Sequence, residues 1–202
     1  MPKLKVINLF GAPGVGKSAA CAGLFYLMKK NHFSVEQVTE YAKYLILSGN
    51  QKALENEPSK LLAEQYHKQE ILKGVYDYAV TDSPLLLVNF YNQNKKSHFD
   101  EFALGLFNEF DNINLFITRE ISVSEYETRG RIHSLEESRA VATQMRQYLL
   151  GRGLNLIDCK IEREKDVAES LFEILNSLEK SGRGYHPLSR SAVLSRFSPF
   201  NS

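Results

Sequence analysis

Apolar positions along the 202-residue chain follow two alternating patterns. Short, nearly continuous apolar runs that stop at glycine, proline or polar residues read as buried strands. Longer stretches with apolar residues three and four apart read as helices packed by one face. Lys3 to Phe10 is the first predicted strand, carried by Leu4, Val6, Ile7, Leu9 and Phe10 and ending at Gly11. Ala19 to Lys30 follows as a helix with Ala20, Leu24, Leu27 and Met28 at core spacing. The pattern then predicts a strand over Phe33 to Val38, a helix over Tyr41 to Ser48 that stops near Gly49, and a helix from Pro58 to Lys73. Strands over Val75 to Asp82, Ile113 to Thr118 and Leu154 to Asp158 come next in order. Between and after them stand helices over Leu85 to Tyr91, Asp100 to Phe110, Leu135 to Leu150 and Asp166 to Leu178. Five strands separated by helices imply an α/β fold, a three-layer sandwich with a five-stranded parallel sheet and helices on both faces.

The pattern ends at Ser181-Gly182, which sets residues 1–180 apart as one domain. Residues 181–202 are rich in Gly, Pro and Ser and carry Arg183, Arg190 and Arg196 without an acid, as expected of a tail with little order of its own. Tyr185, Leu188, Val193, Leu194, Phe197 and Phe200 are more large apolar groups than a solvated tail needs. They imply docking on the domain, or on a neighbouring subunit if the protein is an oligomer, with contact to a polyanion as the alternative.

Charge and cysteine content narrow the class. Lys and Arg total 25 against 24 Asp and Glu, so there is no overall basic excess of the kind that marks non-specific polyanion binders. Cys21 and Cys159 are too few for a disulfide framework or a four-cysteine zinc site, and free thiols suit a reducing compartment. The apolar runs are far shorter than a membrane span, and the first residues lack an apolar signal region. A cytoplasmic protein without membrane contact is the expectation.

The chemistry starts where the first strand ends. Gly11-Ala12-Pro13-Gly14-Val15-Gly16-Lys17-Ser18 fits the phosphate-loop pattern of two glycines with four residues between them followed by Lys-Ser, and Ala19 continues it into the helix. Glycines let the backbone curl so that successive N–H groups face phosphate oxygens, and the helix opening at Lys17 adds its unpaired amides and positive dipole end. In this pattern Lys17 reaches the β- and γ-phosphates and the Ser18 hydroxyl binds Mg2+, so ATP and Mg2+ are the implied cofactors. An apolar strand before the loop and an amphipathic helix after it supply the context the pattern requires.

Ligands of an open parallel sheet gather beyond the carboxyl ends of its strands, and three acids are predicted there. Asp82 ends Tyr78-Ala79-Val80-Thr81-Asp82 and is a candidate for Mg2+ binding or for catalysis. Glu40 follows the second strand and could take a proton from a substrate hydroxyl or bind a ribose diol. Asp158 follows the fifth predicted strand, where purine-binding loops occur. Beyond the fourth strand, Arg119, Arg129, Arg131, Arg139 and Arg146 accumulate. Arg129 and Arg131 flank Gly130 in a segment that reads as a mobile lid over about residues 119–136, with His133 beside it. Arginine forks on such a segment stabilise the charge of a transferring phosphoryl group.

Other phosphate-loop classes do not fit. A guanine-reading Asn-Lys-x-Asp is missing, since Asn94-Lys95-Lys96-Ser97 lacks the acid, and Asp82-Ser83-Pro84-Leu85 lacks the glycine of a GTPase switch. Motor ATPases commonly place Asp-Glu where Asp82-Ser83 stands. The P-loop, Thr39-Glu40-Tyr41-Ala42-Lys43 and Tyr78-Ala79-Val80-Thr81-Asp82-Ser83-Pro84 together resemble the AAA-type P-loop kinases related to bacterial nicotinamide riboside kinase, a family common among bacteriophage genes. The resemblance spans about residues 4–178. It implies a P-loop NTPase fold of small-kinase type with a helical insertion and a lid, with Lys17 and Ser18 on ATP and Mg2+, Glu40 and Asp82 facing the acceptor, and Arg129 to Arg131 in the lid.

The leading expectation is an ATP- and Mg2+-dependent phosphotransferase acting on a nucleoside, a nucleotide or a nucleoside-like acceptor. A second is a kinase acting on a hydroxymethylated base in DNA, with the arginines and the tail along the backbone. A third is a nucleotide-dependent regulatory ATPase that binds a partner through its helical insertion.

Overall fold

A computed structural model describes residues 3–49, 57–92, 97–119, 135–161 and 167–180. Arg129, Arg131 and His133, with all of 120–134, and the tail 181–202 lie outside the described residues. The strands are β1 (Lys5–Gly11), β2 (Val35–Val38), β3 (Tyr78–Thr81), β4 (Asp111–Arg119) and β5 (Ile157–Ile161). The helices are α1 (Lys17–Lys30), α2 (Tyr41–Leu47), α3 (Pro58–Glu70), α4 (Leu85–Tyr91), α5 (Ser97–Phe107), α6 (Leu135–Leu150) and α7 (Val167–Lys180). The strands form one parallel sheet in the order β2-β3-β1-β4-β5.

The sheet is buried on both faces because β1 is apolar on both. Leu4, Val6 and Phe10 face one core, which Leu62 of α3, Leu86 of α4, Phe107 of α5 and Met145 of α6 complete. Ile7 and Leu9 face the other, filled by Leu24 and Met28 of α1 and Leu171 and Leu175 of α7. This alternation is the period of two that a strand imposes on its side chains. A third, smaller cluster joins Leu45 of α2 to Leu61 of α3, with Tyr41, Ala42 and Val88 against it.

Where element bounds differ from the pattern, turns explain the shift. The third strand begins at Tyr78 rather than Val75, because the Val75 and Tyr76 amides both bond back to the Leu72 carbonyl and close a turn after α3. The fifth strand is displaced by three residues. Gly153 takes a left-handed φ of 76°, and the Leu154 amide returns to the Leu149 carbonyl. Leu154 and Leu156 therefore pack against the core as loop residues that finish α6. Helix α5 starts at Ser97 and ends at Phe107, where the Phe110 amide bonds the Phe107 carbonyl in a turn.

A polar cluster inside one core was not visible in the apolar pattern. Asn8 of β1 donates to Asn112 Oδ1 at 2.9 Å and to Asn114 Oδ1 at 3.1 Å. Asn112 in turn donates to the Phe107 carbonyl at 2.6 Å and Asn114 to the Asn155 carbonyl at 3.3 Å. The two loops that lead into β4 and β5 are thus tied to the sheet by side-chain amides.

Because Leu24 is fully buried and Tyr26 is 62% exposed on the same helix, Leu24→Ala should cost about 2–5 kcal/mol. Tyr26→Ala should stay within about 0.5 kcal/mol. Urea unfolding followed by circular dichroism measures both.

Candidate active site

The register sets the carboxyl ends of β2, β3 and β1 along one edge. Val38 pairs with Thr81, and Asn8 pairs with Thr81 from the other side. Asp82 therefore leaves the strand next to β1, and Glu40 the strand beyond that, at the same edge of the sheet as the loop that leaves β1.

At the root of that loop, Gly11 runs so close to β4 that a Cβ would meet the Ile117 carbonyl at 2.7 Å. The next four residues form a tight turn. The Val15 amide bonds the Ala12 carbonyl at 3.3 Å, with Pro13 second and Gly14, φ 88°, third. That is the residue pattern of a type II β-turn, in which the third position needs a left-handed φ. Helix α1 then opens at Lys17 with Gly16 as its N-cap. The Lys17 ammonium donates to the Gly11 and Ala12 carbonyls at 2.9 Å each, which holds its charge inside the loop. Curled backbone, lysine and helix N-terminus together make a cradle with the charge and donors for phosphate.

Asp82 is brought to α1. The Cys21 sulfur accepts from Gln37 Nε2 at 3.6 Å and lies beside Asp82. Burial, and then the Asp82 charge, push the Cys21 thiol up to about 12. Cys21 is three residues after Ser18 and four after Lys17, so all three share one face of α1. Asp82 thus faces the flank of the helix that carries Ser18. The turn beyond it is pinned by the Ser83 amide on Thr81 Oγ1 at 3.1 Å.

Glu40 is held through its neighbours by α3. Lys68 donates to the Thr39 carbonyl at 3.1 Å, and the Tyr41 amide donates to Gln65 Oε1 at 3.2 Å. Gln65 is buried. Burial, and then the negative charge of Glu40, push the Tyr91 hydroxyl at the end of α4 up to about 12. The Tyr91 hydroxyl is thus within electrostatic reach of Glu40, and Tyr41, next to the acid in sequence, stacks on Tyr44 at 6.1 Å. Gln65, Lys68 and Tyr91 carry no motif. Only the fold brings them to Glu40, and the one hint in the sequence is the spacing of four residues that puts Tyr41 and Leu45 on one helix face.

Asp158 stands differently from the expectation. It occupies the second position of β5 rather than the turn after it, level with Phe116 and hence with Phe10. Its carboxylate is bidentate with Arg146 of α6, one arm at 2.8 Å, and the guanidinium holds the carboxyl below the usual range. Arg146 is thereby engaged within the sheet-facing side of α6. Arg139 is exposed, and Arg119 ends β4. Among the described residues no group of three or more His, Cys, Asp or Glu could hold a metal by itself, so a metal here would need oxygen from a nucleotide or water beside Ser18 and Asp82. No described helix is long and apolar enough to cross a membrane.

The phosphate loop, the strand order and the parallel sheet define the P-loop NTPase fold. Solved structures agree. The NadR protein in complex with NR has a TM-score of 0.61 at 14% identity over 92% of this chain. That match takes in 54% of the NadR chain, so this chain spans about half its length. The deoxyadenosine kinase of M. mycoides with products dCMP and a flexible dCDP bound has a TM-score of 0.52 at 16% identity, covering 87% of this chain and 99% of that one. The same enzyme with bound dCTP gives 0.51 at 16% identity with the same coverage. No protein-family model and no curated protein matches the sequence.

Both cysteines are buried, and burial pushes Cys159 as well as Cys21 up to about 12. A folded thiol pKa above its unfolded value adds stability that is complete below the unfolded value and is lost as pH rises toward the folded one. Stability should therefore decline from about pH 8.5 upward, near the free thiol pKa. A thiol reagent at pH 8 should find no reactive group in the native protein and two after unfolding in guanidinium, as read by absorbance.

Proposed function

We propose that the protein is an ATP- and Mg2+-dependent kinase that phosphorylates a hydroxyl or phosphate of a nucleoside-like acceptor. The observation that carries this reading is that the Gly11 to Ser18 loop after β1, Asp82 after β3 and Glu40 after β2 all leave the carboxyl edge of one parallel sheet. Likeness in fold to a deoxyadenosine kinase supports it. The loop amides and Lys17 would bind the nucleotide phosphates, and Ser18 with Asp82 would hold Mg2+, which neutralises phosphate charge when bound. The position of Asp82 against α1 supports that role. Glu40, set apart from the phosphate loop by β3, is the group for the acceptor. The stacked Tyr41 and Tyr44 that follow it in α2 suit a flat base, and its carboxylate would orient the acceptor oxygen and take its proton. In the transfer, the acceptor oxygen bonds to the γ-phosphorus as the bond from that phosphorus to the β–γ bridging oxygen breaks, leaving ADP. Arg129 and Arg131 are proposed to stabilise the charge on the transferring group, and Asp158 to stand near the nucleotide base.

Labelled ATP incubated with Mg2+ and a panel of nucleosides, nucleotides and DNA bearing hydroxymethylated bases tests this directly. Transfer to a free nucleoside or nucleotide is expected. Label in DNA alone would instead make the acceptor a base in a duplex, and ADP release that no acceptor stimulates would favour a regulatory ATPase. Asp82→Asn should reduce turnover by about a hundredfold or more, the range for metal and proton-transfer groups. Glu40→Gln should do the same with the binding of MgATP unchanged.

A further inference from the structure

Helix α6 reaches into the phosphate loop from the far end of the chain. Ser138, in its first turns and 3% exposed, donates its hydroxyl to the Pro13 carbonyl at 2.6 Å across 125 residues of sequence. We propose that Ser138 is a positioning residue that sets the orientation of the Pro13–Gly14 peptide and thereby aims the Gly14 amide at phosphate; the proposal rests on the kinase reading above.

The argument comes from the turn itself. Type I and type II β-turns share the same four residues and the same closing hydrogen bond, and differ by a flip of about 180° in the central peptide. In the turn Ala12 to Val15 that peptide joins Pro13 to Gly14. All peptide bonds among the described residues are trans. In a trans peptide the carbonyl and the following N–H point in opposite directions. Fixing the Pro13 carbonyl toward α6 therefore fixes the Gly14 N–H away from α6. In the flipped turn the carbonyl oxygen would take the direction the amide has now, presenting a negative end to an incoming phosphate. The flip would also strip the buried Ser138 hydroxyl of its acceptor, which carries a cost of its own.

The neighbouring carbonyls are fixed from a different source. Gly11 and Ala12 are both held by the Lys17 ammonium, while the Pro13 carbonyl is held by a side chain from outside the loop and its helix. Gly14 permits the type II state by tolerating φ 88°, but glycine is equally at ease at negative φ. The residue type at position 14 therefore leaves the choice of flip open, and Ser138 closes it.

Titration calorimetry with MgADP tests this on the full chain, with the stoichiometry reporting the folded fraction and Kd reporting the cradle. Ser138→Ala should raise Kd about five- to tenfold at unchanged stoichiometry, the size of one lost hydrogen bond, and Ser138→Thr, which keeps the hydroxyl, should return Kd to within about twofold of wild type. An unchanged Kd in Ser138→Ala overturns the proposal, as does Ser138→Thr binding as weakly as Ser138→Ala. A purely structural serine would lower stoichiometry and leave Kd alone. Should Ser138→Ala fail to fold, Ser138→Cys, a poorer donor of similar size, is expected to raise Kd, and an unchanged value there counts against the proposal. Wild type that binds neither MgADP nor MgATP would remove the kinase reading and the proposal with it, a result distinct from a wild type that binds and a variant that binds equally well.

Discussion

The close approach of Gly11 to the Ile117 carbonyl is the contact on which the site turns. Any side chain at position 11 would collide with the β4 backbone at 2.7 Å, so the last residue of β1 lies flush against β4 only because it has none. β1 is also the central strand, paired to β3 and β4 and buried on both faces. Moving the root of the loop would disturb both cores at once. The rigidity that a phosphate cradle requires is therefore supplied by the cohesion of the whole sheet, and the loop itself contributes mainly its backbone donors.

The two halves of the site are built by different parts of the molecule. The phosphate side rests on β1, α1 and the main cores. The side near Glu40 rests on α2, α3 and α4, which share the smaller cluster of Leu45, Leu61 and Val88. Side-chain bonds to backbone, from Gln65 and Lys68, position residues 39–41. Such a small core offers less resistance to movement than the sheet does, since fewer buried apolar contacts hold it. A molecule bound beside Glu40 would meet a more adaptable wall than one bound at the Gly11 to Ser18 loop.

Much of this was legible in the sequence. The apolar runs of β1 and β4, the helix Leu135–Leu150 and the loop Gly11 to Ser18 are readable because burial on both faces and glycine spacing leave strong local signals. The misplaced fifth strand shows where local signals fail. Leu154 and Leu156 are as apolar as a strand requires, yet they belong to the loop that finishes α6. Burial is visible in a sequence, but whether a strand or a loop is being buried is decided by backbone hydrogen bonds elsewhere. For the same reason Asp158 is found inside β5 and paired to Arg146. The contacts of Ser138 with Pro13 and of Gln65 with the Tyr41 amide join residues with no shared pattern, so nothing short of the packed fold reveals them.

Amide hydrogen exchange, followed by mass spectrometry of short peptides with and without MgATP, addresses the central claim most directly. The account predicts that exchange slows at the amides of Gly14 to Ser18, with smaller changes near Asp82. Binding of MgATP that protects another region and leaves Gly14 to Ser18 unchanged would contradict it.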